Sequence, residues 1–346
     1  MALLQEEIDL QPDPSYPFHI LATRYNYEHN PHANSDDAFT LIFLHALLVH
    51  KETWEVTVAR IFAHCGARGP VKIRDVFSIE SPNHGRSSAV NAEALSKQMV
   101  TNWPREYGRA TQRFLTAGPS AGAPVDFKSR KLIGISHSIG AVALFLAAQS
   151  DATIPFKAMI AFEPGVTDKD NLDQRIRATS AASAYAWLRP NVFASRKAAR
   201  RELAKSPMFS GWDARILELF VEYGLVAHPA SQYPPPFTFP GLRTGLSRED
   251  HAHSYMSEDI TVQGLEAYSS LTQKMPVHLV WGSIDELAND DLKNFLSSVK
   301  DGRTPVSVSK IDGASHMVVQ QKPDVCAEKV VSILMVESQR NAKARL

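Results

Sequence analysis

Short apolar runs alternate along this chain with stretches whose apolar positions recur every three to four residues. That is the pattern of buried strands interleaved with amphipathic helices. "FTLIFLHA" (39–46) is the first clear buried strand, and "ETWEVTVARIF" (52–62) has helical spacing behind it. "VKIRDVFSIES" (71–81) predicts the next strand. A helical region covers "EALSKQMVTNW" and "REYGRATQRFLTA", where Pro104 is expected to break the helix. Strand "KLIGIS" (131–136), helix "IGAVALFLAAQ" (139–149) and strand "FKAMIAFEP" (156–164) follow.

From about residue 165 to 260 the rhythm fails. This part is helix-prone, rich in Ala, Arg, Trp and Tyr, and ends in the turn-forming "QYPPPFTFPGL" (232–242). Strand "VHLVWG" (277–282), helix "NDDLKNFLSSV" (289–299), strand "TPVSVSKI" (304–311) and a final helix near 323–337 restore the alternation. The expectation is an α/β core over 1–164 and 261–346, with a mostly parallel sheet covered by helices on both faces. A mostly helical cap over 165–260 would interrupt it.

Composition narrows the function classes. The length of 346 residues suits an α/β core with one large insertion. Lysine plus arginine equals aspartate plus glutamate at 37 each, so no basic field exists to hold nucleic acid or an anionic membrane face. No run approaches the roughly 20 apolar residues of a membrane span, and "MALLQEEIDLQPDPSYPFHI" lacks a secretory signal pattern. Cys65 and Cys326 make no disulfide framework and have no metal-ligand spacing, so free thiols are expected and neither metal nor cofactor is.

The candidate chemistry lies in "KLIGISHSIGAVALFLAA" (131–148), where small and polar residues separate an apolar strand from an apolar helix. Ser136-His137-Ser138-Ile139-Gly140 fits the small-x-Ser-x-small pattern of a nucleophile elbow. Such a turn is tight, holds its central residue in a strained conformation, and lifts the Ser138 hydroxyl above the sheet edge. It also aims the N–H of Ile139, at a helix start, toward a developing oxyanion.

With these residues in view, the chain resembles the α/β-hydrolase superfamily over nearly its whole length. "LIFLHALLVHKETWE" resembles the family's oxyanion loop, and "FSIESPNHGRSS" its Asp-x-x-Gly-His-Gly-x-Ser segment. "LVWGSIDELAND" and "DGASHMVVQQKPD" are similar to its acid and histidine loops. The resemblance implies Ser138 as nucleophile and His316 as general base, with Leu47 or a neighbour as the second oxyanion donor. The acid stays open between Asp285, which follows a strand 31 residues before His316, and Glu163, which closes "AMIAFEP". Either satisfies the order serine, acid, histidine. His45, His50, His84 and His137 are read as loop or structural histidines.

Ala46 stands where the family usually has glycine, and Ser136 replaces the first elbow glycine. Relatives that open epoxides or remove halides carry aspartate at the nucleophile position, so Ser138 implies an acyl-enzyme. Trp187, Phe193, Met208, Phe209, Trp212 and Phe220 would make the cap apolar and suit an acyl or aryl substrate.

The final Ala344-Arg345-Leu346 resembles the peroxisomal C-terminal address, which an import receptor would read. Fold, cap and tail together resemble the fungal peroxisomal serine hydrolases. That group includes a peroxisomal lipase, an acyl-CoA hydrolase of mycophenolic acid biosynthesis and hydrolases of host-selective toxin pathways. The resemblance implies hydrolysis of an acyl-CoA thioester or carboxylic ester in secondary metabolism, inside the peroxisome or otherwise the cytoplasm. The rival readings are an acyltransferase or epoxide-opening enzyme on the same elbow, and a non-catalytic binding module.

Overall fold

The apolar runs become the strands of one large sheet. The structure, a computed structural model, describes every residue except Met1, Ala67, Arg68, Met99, Asn171, Ser257 and 344–346, so the C-terminal tripeptide lies outside the described residues. The chain opens with a hairpin of β1 (Leu3–Leu10) and β2 (Ile20–Tyr27) that the alternation did not reveal. β1 is an exposed edge strand with Glu6, Glu7 and Asp9 among its eight residues, so its apolar signal is diluted. β3 (Phe39–Leu44) follows, then a 3-10 turn over Lys51–Trp54, α1 (Glu55–Cys65) and β4 (Ile73–Ile79).

Two short helices, α2 (Ser87–Val90) and α3 (Ala92–Lys97), precede α4 (Trp103–Thr116). Pro104 does not break a helix; it lies in the first turn of α4, where its missing N–H costs nothing. The Asn102 side chain caps that helix by accepting from Arg105 N at 3.1 Å. β5 (Lys131–His137), α5 (Ile139–Ser150) and β6 (Phe156–Phe162) then run with almost no connecting chain at the serine. α5 buries most of its length, including Ala141 to Phe145, between the sheet and α4.

After β6 the chain leaves the sheet. α6 (Leu172–Leu188), β7 (Val192–Phe193), α7 (Arg196–Leu203), α8 (Ala214–Tyr223), β8 (Leu225–Ala227), β9 (Leu242–Thr244) and α9 (Arg248–Tyr255) form this excursion. The expectation of mostly helix missed its three-stranded antiparallel sheet, ordered β7-β9-β8. Strands of two or three residues are too short to show a period of two. α10 (Glu258–Thr272) returns to the core, where Tyr268 packs against Phe145 at 5.5 Å between ring centroids. β10 (Val277–Gly282), α11 (Asp290–Phe295), β11 (Ser307–Ile311), α12 (Val318–Gln321) and α13 (Pro323–Lys343) complete the fold.

The large sheet has the order β1-β2-β4-β3-β5-β6-β10-β11. β3, β4, β5, β6, β10 and β11 are mutually parallel, and β2 joins β4 antiparallel. Apolar side chains fill both faces of this sheet, as burial between two helical layers requires. Among the described residues no helix is long and apolar enough to cross a membrane. Ligand sites in open parallel sheets lie beyond the carboxyl ends of the strands, and here the ends of β3, β5, β6 and β10 meet.

Candidate active site

Ser138 sits between β5 and α5 with φ 54° and ψ −120°, a conformation that L-residues rarely adopt. Its surroundings hold it there. Ser138 N donates to Phe162 O at 3.0 Å, while its carbonyl accepts from Ala141 N at 3.0 Å and Gly165 N at 3.2 Å. Gly140 is required by a close approach: a Cβ there would lie 2.5 Å from His45 O and 2.8 Å from Leu44 O. Ser136, which replaces the other elbow glycine, lies within the β3–β5–β6 ladder, and its buried hydroxyl has no partner among the described residues.

His316 reaches Ser138 from the loop after β11, 178 residues further along the chain. Its Nε2 lies 2.9 Å from Ser138 Oγ and its Nδ1 lies 3.2 Å from Glu163 Oε2. In this arrangement Nδ1–H donates to the carboxylate and Nε2 accepts from the serine hydroxyl. Glu163 is buried at the end of β6 with φ 45°, and its other oxygen accepts from Gly282 N at 2.6 Å. Both carboxylate oxygens are therefore occupied, one by the backbone and one by the imidazole.

Asp285 follows β10 as expected but turns to a different partner. It forms an ion pair with Lys293 on α11, whose Nζ also donates to Gly282 O at 3.3 Å. Of the two carboxylates open in the sequence, the structure brings Glu163 to His316.

Other side chains fix His316. His137, next to the serine, donates from Nε2 to His316 O at 2.8 Å, and burial holds its pKa down to about 3. Glu286 Oε2 accepts from His316 N at 3.2 Å. Sequence reading treated His137 as structural and did not single out Glu286. The only signal available was their adjacency to Ser138 and Asp285.

The loop after β3 is held as firmly. Ser81 N donates to His45 Nε2 at 3.1 Å, which puts the ring proton on Nδ1, donating to Ala46 O at 2.8 Å. The Tyr107 hydroxyl donates to Ile79 O at 2.7 Å and accepts from His45 N at 3.0 Å. The left-handed residue of this loop is Leu48, with φ 75°, so Ala46 needs no glycine. Leu48 N donates to His84 Nε2 at 3.3 Å. Among the described residues no partner takes the N–H of Leu47 or Ile139, and both residues line the cavity above Ser138.

Behind this loop His50, Glu52 and Glu80 offer ligand atoms within 4.8 Å of one another. The ammonium of Lys51, fully buried and paired with Glu52, already supplies positive charge there. Burial works against that ammonium, but Glu80 and Glu52 raise its pKa overall. Glu80 also accepts from Ser87 N at 2.8 Å, tying the 80–88 segment down.

A cavity of about 270 Å³ opens over Ser138, bounded by Leu47, Val142, Pro164, Met208, Tyr255 and Leu287 among others. Of the cap residues expected to face substrate, Met208 alone lines it. Phe193, Phe209, Trp212 and Phe220 instead pack together on Ala46, Leu48 and Val49, clamping the excursion to the loop after β3. Trp187 is largely exposed, edge-on to His253.

A parallel sheet of this order, with serine, histidine and carboxylate converging at its strand ends, defines the α/β-hydrolase class of scaffold. The chain belongs to the Alpha/beta hydrolase family, whose sequence model matches residues 41–329. No curated protein matches the sequence. Among solved structures, the peroxisomal α/β-hydrolase Lpx1 of Saccharomyces cerevisiae aligns over 97% of this chain and 88% of its own, with 16% identity and a TM-score of 0.70. A thioesterase domain from the curacin biosynthetic pathway aligns over 96% and 99%, at 14% identity and a TM-score of 0.64. An esterase of Mycobacterium tuberculosis aligns over 96% and 92%, at 15% identity and a TM-score of 0.62. At these identities the likeness is one of fold.

Proposed function

We propose that this protein is a serine hydrolase that cleaves a carboxylic ester or acyl-CoA thioester through an acyl-enzyme on Ser138. The observation that carries this reading is the Glu163–His316–Ser138 relay, with contacts of 3.2 and 2.9 Å. Ser138 Oγ attacks the acyl carbonyl as His316 Nε2 takes its proton. Glu163 holds the imidazole tautomer and stabilises the imidazolium. The N–H groups of Leu47 and Ile139 receive the developing oxyanion. His316 then protonates the departing alkoxide or thiolate. In the second half it deprotonates water, which attacks the acyl-enzyme, releases the carboxylic acid and restores the serine.

Serine rather than aspartate at position 138 supports an acyl over an alkyl intermediate. The cavity of about 270 Å³ lies just below the usual range of ligand pockets, about 300 to 1,000 Å³. It suits an acyl group, with any coenzyme A arm left outside. A fluorophosphonate probe should label the wild type and leave Ser138→Ala unlabelled; equal labelling of the two would end the proposal.

Peroxisomal residence belongs to the same proposal, supported by the resemblance of Ala344-Arg345-Leu346 to a peroxisomal address and by the likeness to the peroxisomal hydrolase Lpx1. A fluorescent reporter ending in these residues should collect in peroxisomes and stay diffuse without the tripeptide.

A further inference from the structure

The loop that carries His316 is fastened by backbone contacts on either side of that residue. Ala314 O accepts from Ile284 N at 2.9 Å, and Met317 O accepts from Gln320 N at 2.9 Å and Gln321 N at 3.0 Å. His316 itself is held differently. Among the described residues no backbone group bonds to its N–H or its carbonyl. Side chains take both: His137 Nε2 donates to His316 O at 2.8 Å, and Glu286 Oε2 accepts from His316 N at 3.2 Å. With Glu163 on the ring at 3.2 Å, three side chains from the ends of β5, β6 and β10 suspend this one residue.

The chemistry of His137 shows what its imidazole adds. A carbonyl only accepts, so the ring proton sits on Nε2 and Nδ1 carries a bare lone pair. That Nδ1 is buried and has no partner among the described residues. A buried acceptor left unpaired costs stability, and an apolar ring of similar size would fill the space without that cost. What histidine supplies beyond such a ring is the Nε2–H donor. Burial, and then the neighbouring His316, hold the His137 pKa down to about 3, so the ring is neutral near pH 7. It therefore lies 5.5 Å from the His316 ring, centroid to centroid, without opposing the positive charge that forms there. The other anchor differs: Glu286 is exposed and borders the cavity, so replacing it disturbs no core.

We propose, on the reading of Ser138 and His316 as nucleophile and base, that His137 and Glu286 are positioning residues that together set the place of the His316 ring. Neither touches the reacting atoms. His137 ends β5 and directly precedes Ser138, so its donor ties the base to the strand that carries the nucleophile. Glu286 fixes the other side of the same residue from the loop after β10. A displacement of about 1 Å can cost about 100-fold in rate, so losing either anchor acts on the chemical step rather than on binding.

The test is steady-state kinetics on a short activated ester, with folding checked by thermal melting. His137→Phe should lower kcat by about ten- to 100-fold and leave KM within about two-fold. His137→Gln, whose amide N–H stands in for Nε2–H, should recover most of that loss. Glu286→Ala should lower kcat about ten-fold, whereas Glu286→Gln, which keeps an acceptor oxygen, should stay near wild type. The Glu286 pair carries the test if His137→Phe does not fold, because that side chain is exposed. In protein labelled with 15N-histidine, the His316 ring signals should move in Glu286→Ala and hold still in Glu286→Gln, a readout that needs no substrate. A folded His137→Phe or Glu286→Ala with wild-type kcat, or a loss confined to KM, overturns the proposal. Equal losses in His137→Phe and His137→Gln, or unmoved His316 signals, overturn it too. Ester cleavage that persists in Ser138→Ala would instead overturn the hydrolase reading and leave the His316 signals as the test of the anchors.

Discussion

At the scale of single residues, the pairing of Ser138 with His316 that the structure shows was legible, and the carboxylate that joins them was not. Ser138 and His316 each sit in a local pattern, a small-residue turn and a small-residue loop, that few other chemistries require. Glu163 and Asp285 each follow an apolar strand, so spacing could not separate them. What separates them is backbone and charge. Glu163 is turned by a positive φ and held by Gly282 N–H, whereas Asp285 has Lys293 beside it. Neither feature is local in sequence. Glu163→Gln should lower kcat by about 10³- to 10⁴-fold, because the amide no longer fixes the tautomer or stabilises the imidazolium. Asp285→Asn should change kcat less than about five-fold. Steady-state kinetics on an activated ester checks both, and the opposite ranking would return the role to Asp285.

Between elements, the decisive contact joins the start of α5 to the loop after β3. Gly140 has no room for a Cβ beside the carbonyls of Leu44 and His45. Gly140→Ala must therefore push that loop outward, moving Leu47 N–H away from Ile139 N–H. The expected result is a loss of at least about 100-fold in kcat/KM with little change in KM, since a misplaced oxyanion donor acts on the transition state. Overpacking should also cost about 1–3 kcal/mol of stability, read by urea unfolding. Wild-type kinetics in this variant would show that the two donors need not be in register. Strands with both faces buried were readable from composition. β1 and the strands of the small sheet were not, because an exposed edge and two- or three-residue strands leave no apolar run.

Considered as a whole, the molecule buries neutral imidazoles. Burial lowers the pKa of His45, His137 and His251 to about 3, and holds that of His84 well below its ordinary value. Between those values and the ordinary 6.5, the unfolded chain binds more protons than the folded one, so stability is full above about pH 6.5 and lost as pH falls. Each such group contributes a slope of up to about 1.4 kcal/mol per pH unit. Glu80 and Glu55, whose pKa values burial raises, oppose them as two groups. The urea midpoint should hold between pH 8 and 7 and fall steeply below pH 6; a flat profile down to pH 5 would contradict this account. The excursion after β6 shows the limit of composition: its aromatics were visible, but whether they face a ligand or their own loop depends on packing across the molecule. One consequence follows from the carboxylate on β6. With His316 Nδ1 already met from that side, and Glu286 holding the His316 backbone, Asp285 and Leu287 to Asn289 border the cavity with no hydrogen bond to that imidazole among the described residues. Substitutions there can retune which molecules enter without dismantling the reaction, making this stretch the natural ground for divergence among descendants of the same scaffold.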